Sequence, residues 1–463
     1  MTTEPASVFH QKDALRRSII ASYWFVVFLA LPLWWNTTSI HRLALPVLRV
    51  HSHAQHHVRL PVHIRLTSNV SSAHLKSLVD AGLDVQIHSD EEGLGTESTY
   101  TIIDSPRSFV DGRTLHYPAN HHHLSDVLSS LLAPVSSSRD IEYSPRYRLA
   151  FSLLNEDAAA GGAIVGWDIS RAIQKYFSPI SKQLAVLHNF TIESQVQFHA
   201  PLAFKPTQLQ DGTFGLTQEQ LTLFVNSAEW SLSSSASNDP VLHFILFVPS
   251  INQSPLRILS SNSSSSSTTF LLPQWGTILI YNPPPLHDTS QPTQLLLSDL
   301  DPIFQSFADQ LLALLGVPAL PFSPANPPNA ILTDWQLDAL MRRRTLENAQ
   351  KAKDTLQSIV NLVDEIQNMP VEKDVRDDVV NALNELDEMY TSSHQSLTRT
   401  LQHSARALTL ASRAFFNPSM LALLYFPAEH KYAVYTPLFA SAMIPMVVTV
   451  LREVKAWRTE RAH

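Results

Sequence analysis

Hydrophobic and polar positions divide the chain into three kinds of pattern. Two uncharged apolar runs lie near the ends, at residues 19–35 and 432–451. Between residues 58 and 330, short runs typical of strands alternate with longer runs typical of helices. From residue 334 to 408, apolar positions recur every three or four residues, which is the spacing of one helical face. The pattern therefore predicts an α/β domain followed by a helical arm.

The middle of the chain is predicted to hold the following elements. Strands are expected at Leu60–Leu66, Leu83–Ile87, Thr99–Ile103, Tyr147–Leu154, Phe190–Phe198, Leu221–Val225, Val241–Val248 and Thr277–Tyr281. Helices are expected at Ser71–Ala81, His122–Leu132, Asp168–His188 and Asp299–Leu315. Alternation of this kind indicates a mixed α/β fold with helices packed on a sheet. The proline-rich segment Val317–Pro328 ends this domain, and Pro370 divides the helical arm after it.

The first apolar run, Ile19–Trp35, contains one clearly polar residue, Ser22. As a helix it measures about 25 Å, which is at the short end of what crosses a bilayer. A buried core helix and a cleaved signal peptide are the alternatives, but the run is long for a signal peptide and no small-residue cleavage site follows it. We therefore expect an uncleaved membrane anchor.

The second apolar run, Tyr432–Leu451, is long enough to span a membrane. Pro437 and Pro445 lie inside it, and membrane helices tolerate proline better than soluble helices do. We expect a second transmembrane helix here.

Basic residues flank both runs on their outer sides, which places both chain ends in the cytoplasm by the positive-inside rule. These residues are Lys12, Arg16 and Arg17 before the first run, and Arg452, Lys455, Arg458 and Arg461 after the second. The expected organisation is a cytoplasmic N-terminus (1–18), a first span (19–35), a luminal α/β domain (36–330), a luminal helical arm with a juxtamembrane segment (331–430), a second span (431–451) and a cytoplasmic tail (452–463).

Composition narrows the possible functions. The chain has 463 residues and no cysteine, which excludes a thiol nucleophile, an iron–sulfur cluster, a thiolate zinc site and any disulfide. The net charge of −8 gives no basic footprint for nucleic acid. A cysteine-free chain suggests the cytosol, whereas the two predicted spans place most of this chain in a lumen.

Sequons for N-glycosylation agree with a luminal middle. We take Asn69, Asn189, Asn252 and Asn262 as candidate acceptors, because Asn36 lies too close to the first span. Asn262 belongs to a serine-rich run, residues 260–269, that is predicted to be a loop.

Residues that resemble catalytic or metal-binding motifs are few. Asp299 and Asp301 form a DxD pattern like the metal site of many luminal glycosyltransferases, but the apolar run that follows them fits the start of a helix better. The glycine cluster at residues 161–166 lacks the spacing of a phosphate-binding loop and is expected to be a turn.

Histidines form two groups, and neither has a recognised metal-binding spacing. They are His51, His53, His56, His57 and His63 after the first span, and the run at residues 121–123. We expect them to lie in solvated loops. No catalytic, cofactor or metal site is predicted from these residues.

Several blocks nevertheless resemble one family, in the order in which that family has them. They are Leu31–Thr38 with Arg42–Pro46, Ser194–Gln197, Leu242–Pro249 with Gln274–Gly276, Ile303–Gly316 and Ala414–Leu438. Together they are similar to the PIG-S subunit of the glycosylphosphatidylinositol (GPI) transamidase. The resemblance spans essentially the whole chain, with the serine-rich loop and the histidine-rich segment at 41–57 as less similar parts.

The resemblance implies a non-catalytic scaffold or assembly subunit in the membrane of the endoplasmic reticulum (ER). It implies that the catalytic cysteine and histidine belong to a different, caspase-like subunit, and that the partners are the other subunits and membrane lipid, with GPI lipid or proprotein contacted indirectly. It implies no cofactor. The alternative hypothesis is a luminal glycosyltransferase that uses Asp299 and Asp301.

Overall fold

The computed structural model describes most of the chain, and two compact units are found in it. The described residues are 13–38, 42–66, 83–88, 99–118, 124–132, 141–217, 219–221, 238–259, 268–284, 293–321, 331–366, 369–420 and 428–462. The terminal unit combines Met1–His57, Asn348–Glu388 and His403–His463. The central unit combines Val58–Glu347 and Met389–Gln402.

The strands of the described residues lie in the central unit. In chain order they are β1 (Leu60–Leu66), β2 (Leu83–His88), β3 (Thr99–Asp104), β4 (Phe109–Asp111), β5 (Thr114–Tyr117), β6 (Arg146–Asn155), β7 (Ile164–Trp167), β8 (Asn189–Gln197), β9 (Thr207–Gln208), β10 (Phe214–Leu216), β11 (Val241–Val248), β12 (Leu256–Ile258), β13 (Thr269–Leu272), β14 (Gly276–Ile280) and β15 (Thr293–Leu295).

The helices occur in both units. They are α1 (Asp13–Thr38), α2 (Val47–Gln55), α3 (Leu124–Leu132), α4 (Ile169–Ala172), α5 (Ser178–Gln183), α6 (Leu297–Leu314), α7 (Asp334–Glu365), α8 (Lys373–Ser392), α9 (Leu397–Phe415) and α10 (Ala428–Ala462). A π-helical turn, Ile173–Phe177, joins α4 to α5.

The first sheet of the central unit has the order β2-β1-β3-β5-β4. Its strands are parallel except β4, which forms a hairpin with β5. The apolar side of α3 shares a core with β1, β3 and β5, and Trp335 from the start of α7 enters the same core. Alternating burial along β1 and β3 explains why their sequences read as strands.

The central sheet has the order β13-β14-β11-β6-β8, in which only β13 is antiparallel. The strands β6 and β11 are buried along almost their whole length, which is why they read as continuous apolar runs. On one face, rings from the sheet and from α6 stack together, with Phe151 at 5.1 Å from Phe244 and 5.6 Å from Phe304. The small sheet β12-β10-β9 lies over the opposite face.

The terminal unit is helical. The predicted apolar positions of the arm, such as Leu356, Ile359, Val379 and Leu383, are buried as expected. The expected break at Pro370 falls between α7 and α8. The helix predicted to continue from there to residue 408 is divided into α8 and α9 by a turn near residue 394.

The structure thus has the expected mixed α/β fold with a helical C-terminal region. Of the predicted elements, Ser71–Ala81 lies outside the described residues, as does most of Leu221–Val225, whose first residue is helical. The prediction of solvated loops for the histidine-rich segment is wrong for residues 47–55, which form α2. The domain bounds expected from the sequence remain predictions.

Candidate functional site

Among the described residues, one helix is long and apolar enough to cross a membrane, and it is the N-terminal one. The segment Ala14–Leu33 has a mean hydropathy of 1.5, and none of it is buried. Phe25, Phe28 and Leu29 are each exposed by more than half of their surface, so this helix presents an apolar face. The second expected span lies within α10, where the structure has a helix, but its membrane placement remains a prediction.

The charged ends of α1 and α10 are joined by ion pairs within the terminal unit. Arg16 Nε donates to Glu453 Oε2 at 2.8 Å, and Arg17 Nε donates to Glu453 Oε1 at 2.8 Å. Arg16 Nη2 adds a third hydrogen bond at 3.2 Å. The two arginines lower the pKa of the Glu453 carboxyl, so the glutamate is ionised at neutral pH. The start of α1 and the last part of α10 therefore lie side by side.

The chain that follows α1 is attached to the helical arm of the same unit. Arg42 forms a parallel β-bridge with Val371, and the Leu43 N–H donates to the Val371 carbonyl at 3.1 Å. The Arg42 guanidinium also donates to the carbonyl of Val363 at 2.7 Å. This segment belongs to the sequence block that we noted as family-like, and the contacts give the block a structural role.

Helix α2 extends this attachment through polar contacts. Arg49 and His53 both reach Asp387 on α8, at 2.8 Å and 3.1 Å. The buried Lys353 on α7 donates to the carbonyl of His56 at 2.8 Å. Burial lowers the pKa of His53 more than Asp387 raises it, so its imidazole donates as a neutral ring at pH 7. The loop histidine predicted at position 53 is therefore a buried contact residue.

The two carboxylates of the DxD pattern serve separate roles. The Asp299 side chain accepts the backbone N–H of Leu296 at 3.0 Å, which caps the first turn of α6. Asp301 accepts from Lys175 Nζ at 2.8 Å and from the Tyr176 hydroxyl at 3.0 Å. In the described part of the chain, no group of three His, Cys, Asp or Glu residues is arranged to hold a metal ion. Nothing here supports a glycosyltransferase metal site.

The first part of the glycine cluster forms the predicted turn, whereas residues 164–166 belong to β7. Gly161 and Gly162 have φ values of 97° and 68°, which favour glycine. Asn155 closes the loop, because its side chain bonds both the N–H and the C=O of Ile164 at 2.9 Å. The turn leads into β7 and has no phosphate-binding geometry.

Of the remaining histidines, His63 has a partner that the sequence did not suggest. Its Nδ1 lies 3.1 Å from His88 Nε2, across the parallel pair β1 and β2. Burial and the neighbouring His88 lower the pKa of His63. The histidine run at residues 121–123 lies outside the described residues.

The carboxyl edge of the central sheet is where an α/β fold with this strand order places ligands. The order of the strands reverses between β6 and β11, and that is the topological switch point. The residue after β6 is the buried Glu156, whose Oε2 accepts the Ser250 N–H at 2.8 Å. Burial raises the pKa of Glu156. This carboxyl joins the ends of the two strands, and no catalytic pair is seen beside it among the described residues.

A buried polar network connects the first sheet to α7. Asp338 accepts from the Tyr100 hydroxyl at 2.7 Å and from Arg113 at 2.7 and 3.1 Å. Arg342 donates to the Tyr100 oxygen at 2.6 Å. The ring of Trp335 lies 4.2 Å from that of Tyr100. Asp338 and Arg342 are each 2% exposed, so two of the network's charges are out of water.

Comparison with known proteins identifies the family of this chain. The family described as Phosphatidylinositol-glycan biosynthesis class S protein, or PIG-S, matches residues 21–105 and 85–460. The chain belongs to the PIG-S family. The matched residues include α1 from residue 21 onward, both five-stranded sheets and most of α10.

Curated relatives in the PIG-S family align over most of the chain. The "GPI transamidase component PIG-S homolog" of Schizosaccharomyces pombe is 31% identical over 97% of this chain and 86% of its own length. The "GPI-anchor transamidase component PIGS" of Bos taurus is 34% identical over 72% of this chain and 63% of its own length. The Homo sapiens protein of the same name is 27% identical over 93% of this chain and 94% of its own length.

Sequence reasoning on this PIG-S chain missed its main contact residues. Glu156, Asp338 and Lys353 are buried charges that read as ordinary polar positions. Asp338 and Lys353 lie on a helix with many polar positions, some of them buried and some exposed, so periodicity gives no reason to single them out. A helical charge flanked by apolar residues on both sides, as in Leu337-Asp338-Ala339-Leu340, is the signal that was available.

Proposed function

We propose that this chain is a non-catalytic scaffold subunit of the ER GPI transamidase, which attaches a GPI anchor to the C-terminus of proproteins. The observation that carries the proposal is the PIG-S family match, together with relatives named as transamidase components over 86% to 94% of their own length. Its partners are the caspase-like catalytic subunit, the membrane subunits and membrane lipid. Contact with GPI lipid or proprotein is indirect.

A supporting role follows from the residue composition. The chain has no cysteine, so it cannot provide the thiolate that a cysteine-dependent transamidase uses to form an acyl-enzyme. The resemblance places that cysteine and its histidine in a different subunit. The role left to this chain is to bind and position other subunits through its large domain and its helices.

The proposed topology has two spans with both ends in the cytoplasm. The helix α1 is the first span, and the apolar residues 432–451 of α10 are the second. The ion pairs from Arg16 and Arg17 to Glu453 support this arrangement, because they require the outer end of each span to lie on the same side. The central unit then lies in the ER lumen.

Two candidate glycosylation sites are consistent with a luminal central unit. Asn189 at the start of β8 and Asn252 in the turn after β11 are both exposed. Asn69 and Asn262 lie outside the described residues. We propose all four as acceptors, which glycosidase treatment of the membrane-inserted chain would reveal as stepwise shifts in mobility. A chain whose mobility is unaffected by glycosidase would contradict the luminal placement.

The function is tested by purification and depletion. The full-length chain, tagged at one end and extracted from ER membranes in mild detergent, should recover the caspase-like subunit in fixed stoichiometry. Depletion of the chain should abolish surface display of a GPI-anchored reporter while a transmembrane reporter is displayed normally. Recovery of the chain alone, with normal display of the GPI-anchored reporter after depletion, would contradict the proposal.

A further inference from the structure

The strand β8 forms one edge of the central sheet, next to β6. Two hydrogen bonds show which of its backbone groups face β6. The Asn189 N–H donates to the Pro145 carbonyl at 2.8 Å, and the Gln197 carbonyl accepts from Asn155 Nδ2 at 3.1 Å. Backbone N–H and C=O groups alternate in direction along a strand. The backbone groups of the odd-numbered residues of β8 therefore face β6.

The even-numbered residues of β8 therefore point their backbone N–H and C=O groups away from the sheet. These residues are Phe190, Ile192, Ser194 and Val196. In the described part of the chain, no strand pairs with this side of β8. The edge is thus an open row of donors and acceptors with the geometry of a template for one more strand.

Natural sheets protect such edges, and the sequence and register of β8 show none of the protection that a strand itself can carry. Edge strands are commonly short, bulged, or marked by lysine or proline. By contrast, β8 is nine residues long, contains neither residue type, and pairs with β6 in an unbroken register. Its one charged residue, Glu193, is already paired with Arg148 at 3.1 Å. The side chain of Ile192 is 36% exposed on this edge.

We propose that β8 is an attachment edge, to which an extended segment of another subunit adds as a sixth strand of the central sheet. The inference rests on the proposed function, that the chain is a subunit of a larger complex. A permanent partner fits better than a passing substrate, because an open edge of this length promotes aggregation whenever it is uncovered. Backbone pairing supplies the affinity, as in other cases of strand addition.

The two faces of β8 specify the side chains of the added segment. Phe190 and Val196 pack against the core under the helices, whereas Glu193, Gln195 and Gln197 lie on the opposite face. The partner segment must therefore alternate apolar and polar residues, with the apolar ones on the helical face. A segment with that pattern extends the apolar face and the polar face of the sheet by one strand.

A second copy of this chain is a poor occupant of the edge. A two-fold pairing that uses Phe190 through Val196 centres on Glu193. The backbone N–H and C=O of Glu193 face β6 and not the added strand. Glu193 would therefore lie opposite its own copy in a non-hydrogen-bonded pair, in which the side chains are closest. Like charges placed directly opposite each other destabilise a sheet. A different chain with a neutral or basic residue at that position avoids this cost.

The test uses the full-length chain in ER membranes with the variants Ser194→Pro and Ser194→Ala. The N–H of Ser194 points outward, so proline removes a donor that pairs with no strand among the described residues. Proline is tolerated on such an edge. We expect Ser194→Pro to reduce recovery of partner subunits at least tenfold, while Ser194→Ala recovers them as the wild type does. Equal abundance and an equal pattern of trypsin fragments for both variants show that the fold is kept.

A second pair of variants covers the case in which proline disturbs β8. Ile192→Lys introduces a charge on the exposed edge, and Ile192→Val is its matched control. A photo-crosslinking residue at Ser194 should join the chain to one segment of one partner subunit, identified by mass spectrometry. Normal assembly of both Ser194→Pro and Ile192→Lys, or a crosslink to a second copy of this chain, would overturn the proposal.

The outcomes separate this inference from the function on which it rests. If the wild-type chain recovers no transamidase subunit, the proposed function fails. If the wild type, Ser194→Pro and Ile192→Lys all recover the subunits equally, the function stands and the attachment edge is wrong.

Discussion

His188 is a buried ring that we expect to make the central unit sensitive to acid. Its Nδ1 donates to the Ser144 carbonyl at 2.7 Å, and burial lowers its pKa to about 4. His243, stacked on Trp275 at 4.7 Å, has its pKa lowered to about 4 by burial and by Arg148. Because the folded pKa values lie below those of the unfolded chain, the stability present above pH 6.5 is lost as pH falls toward 4.

The loss expected from His188 alone is about 3 kcal/mol across that window, from 1.36 kcal/mol per pKa unit. The measurement is chemical denaturation of the purified chain at several pH values. His188→Gln keeps an N–H donor but does not titrate, so its stability should depend less steeply on pH. An identical pH dependence in the variant and the wild type would rule out this role for His188.

Asp338 and Asp301 allow a direct comparison of a buried and an exposed ion pair. Asp338→Ala leaves Arg113 and the buried Arg342 without their acidic neighbour, and we expect a loss of about 3–5 kcal/mol in unfolding free energy. Asp301→Ala removes an exposed pair with Lys175, and we expect little change. Thermal denaturation of both variants measures the loss of stability. An equal loss in Asp338→Ala and Asp301→Ala would contradict a stabilising role for the buried network.

At the scale of elements, the pairing of β14 with β11 depends on one glycine. Gly276 has a φ of +145°, and a Cβ there would overlap the backbone of His243. We expect Gly276→Ala to cost more than about 4 kcal/mol or to prevent folding. The control, Gly212→Ala, has φ +83° but open space, so about 1–2 kcal/mol of backbone strain is expected. Expression level and melting temperature distinguish the two, and a stable Gly276→Ala chain would contradict the close approach.

Sequence patterns predicted the long elements because their burial is periodic or continuous. The run Val241–Val248 is buried on both faces, and it was predicted with the same bounds that the structure has. The helix α2 was missed because its stability comes from contacts with Asp387 and Lys353, which are about 300 residues away in sequence. Short strands such as β7 and β15 pair only with each other and give no periodic signal.

The same reasoning applies to the candidate sites. The helix start predicted at Asp299 and Asp301 could be recognised from the sequence, because acidic residues favour the first turn of a helix. The sequence pattern could not show that β8 is an edge strand. The order of strands in a sheet depends on pairing between segments that are far apart in sequence. The alternation of Phe190, Ile192 and Val196 was visible in the sequence. The sequence did not show which edge of this strand is left unpaired.

For the whole molecule, we expect the pairing of α1 with α10 to depend on Glu453. Glu453→Arg would place a third positive charge beside Arg16 and Arg17 and separate the two helices, whereas Glu460→Gln is a control on the same helix. Because the chain has no cysteine, spin labels can be attached at Leu15→Cys and Val454→Cys alone. The wild type should give one narrow distance distribution, which broadens in Glu453→Arg; an unchanged distribution would contradict the pairing.

The terminal unit is built from three separate stretches of the chain, and this has a consequence for biosynthesis. The contact of Lys353 with the carbonyl of His56 spans 297 residues. At a translation rate of about 5–20 residues per second, roughly 15–60 seconds pass before the first membrane-proximal stretch meets its partner. During that interval α2 has no helix to pack against. A nascent chain paused in this window would be a natural substrate for chaperones.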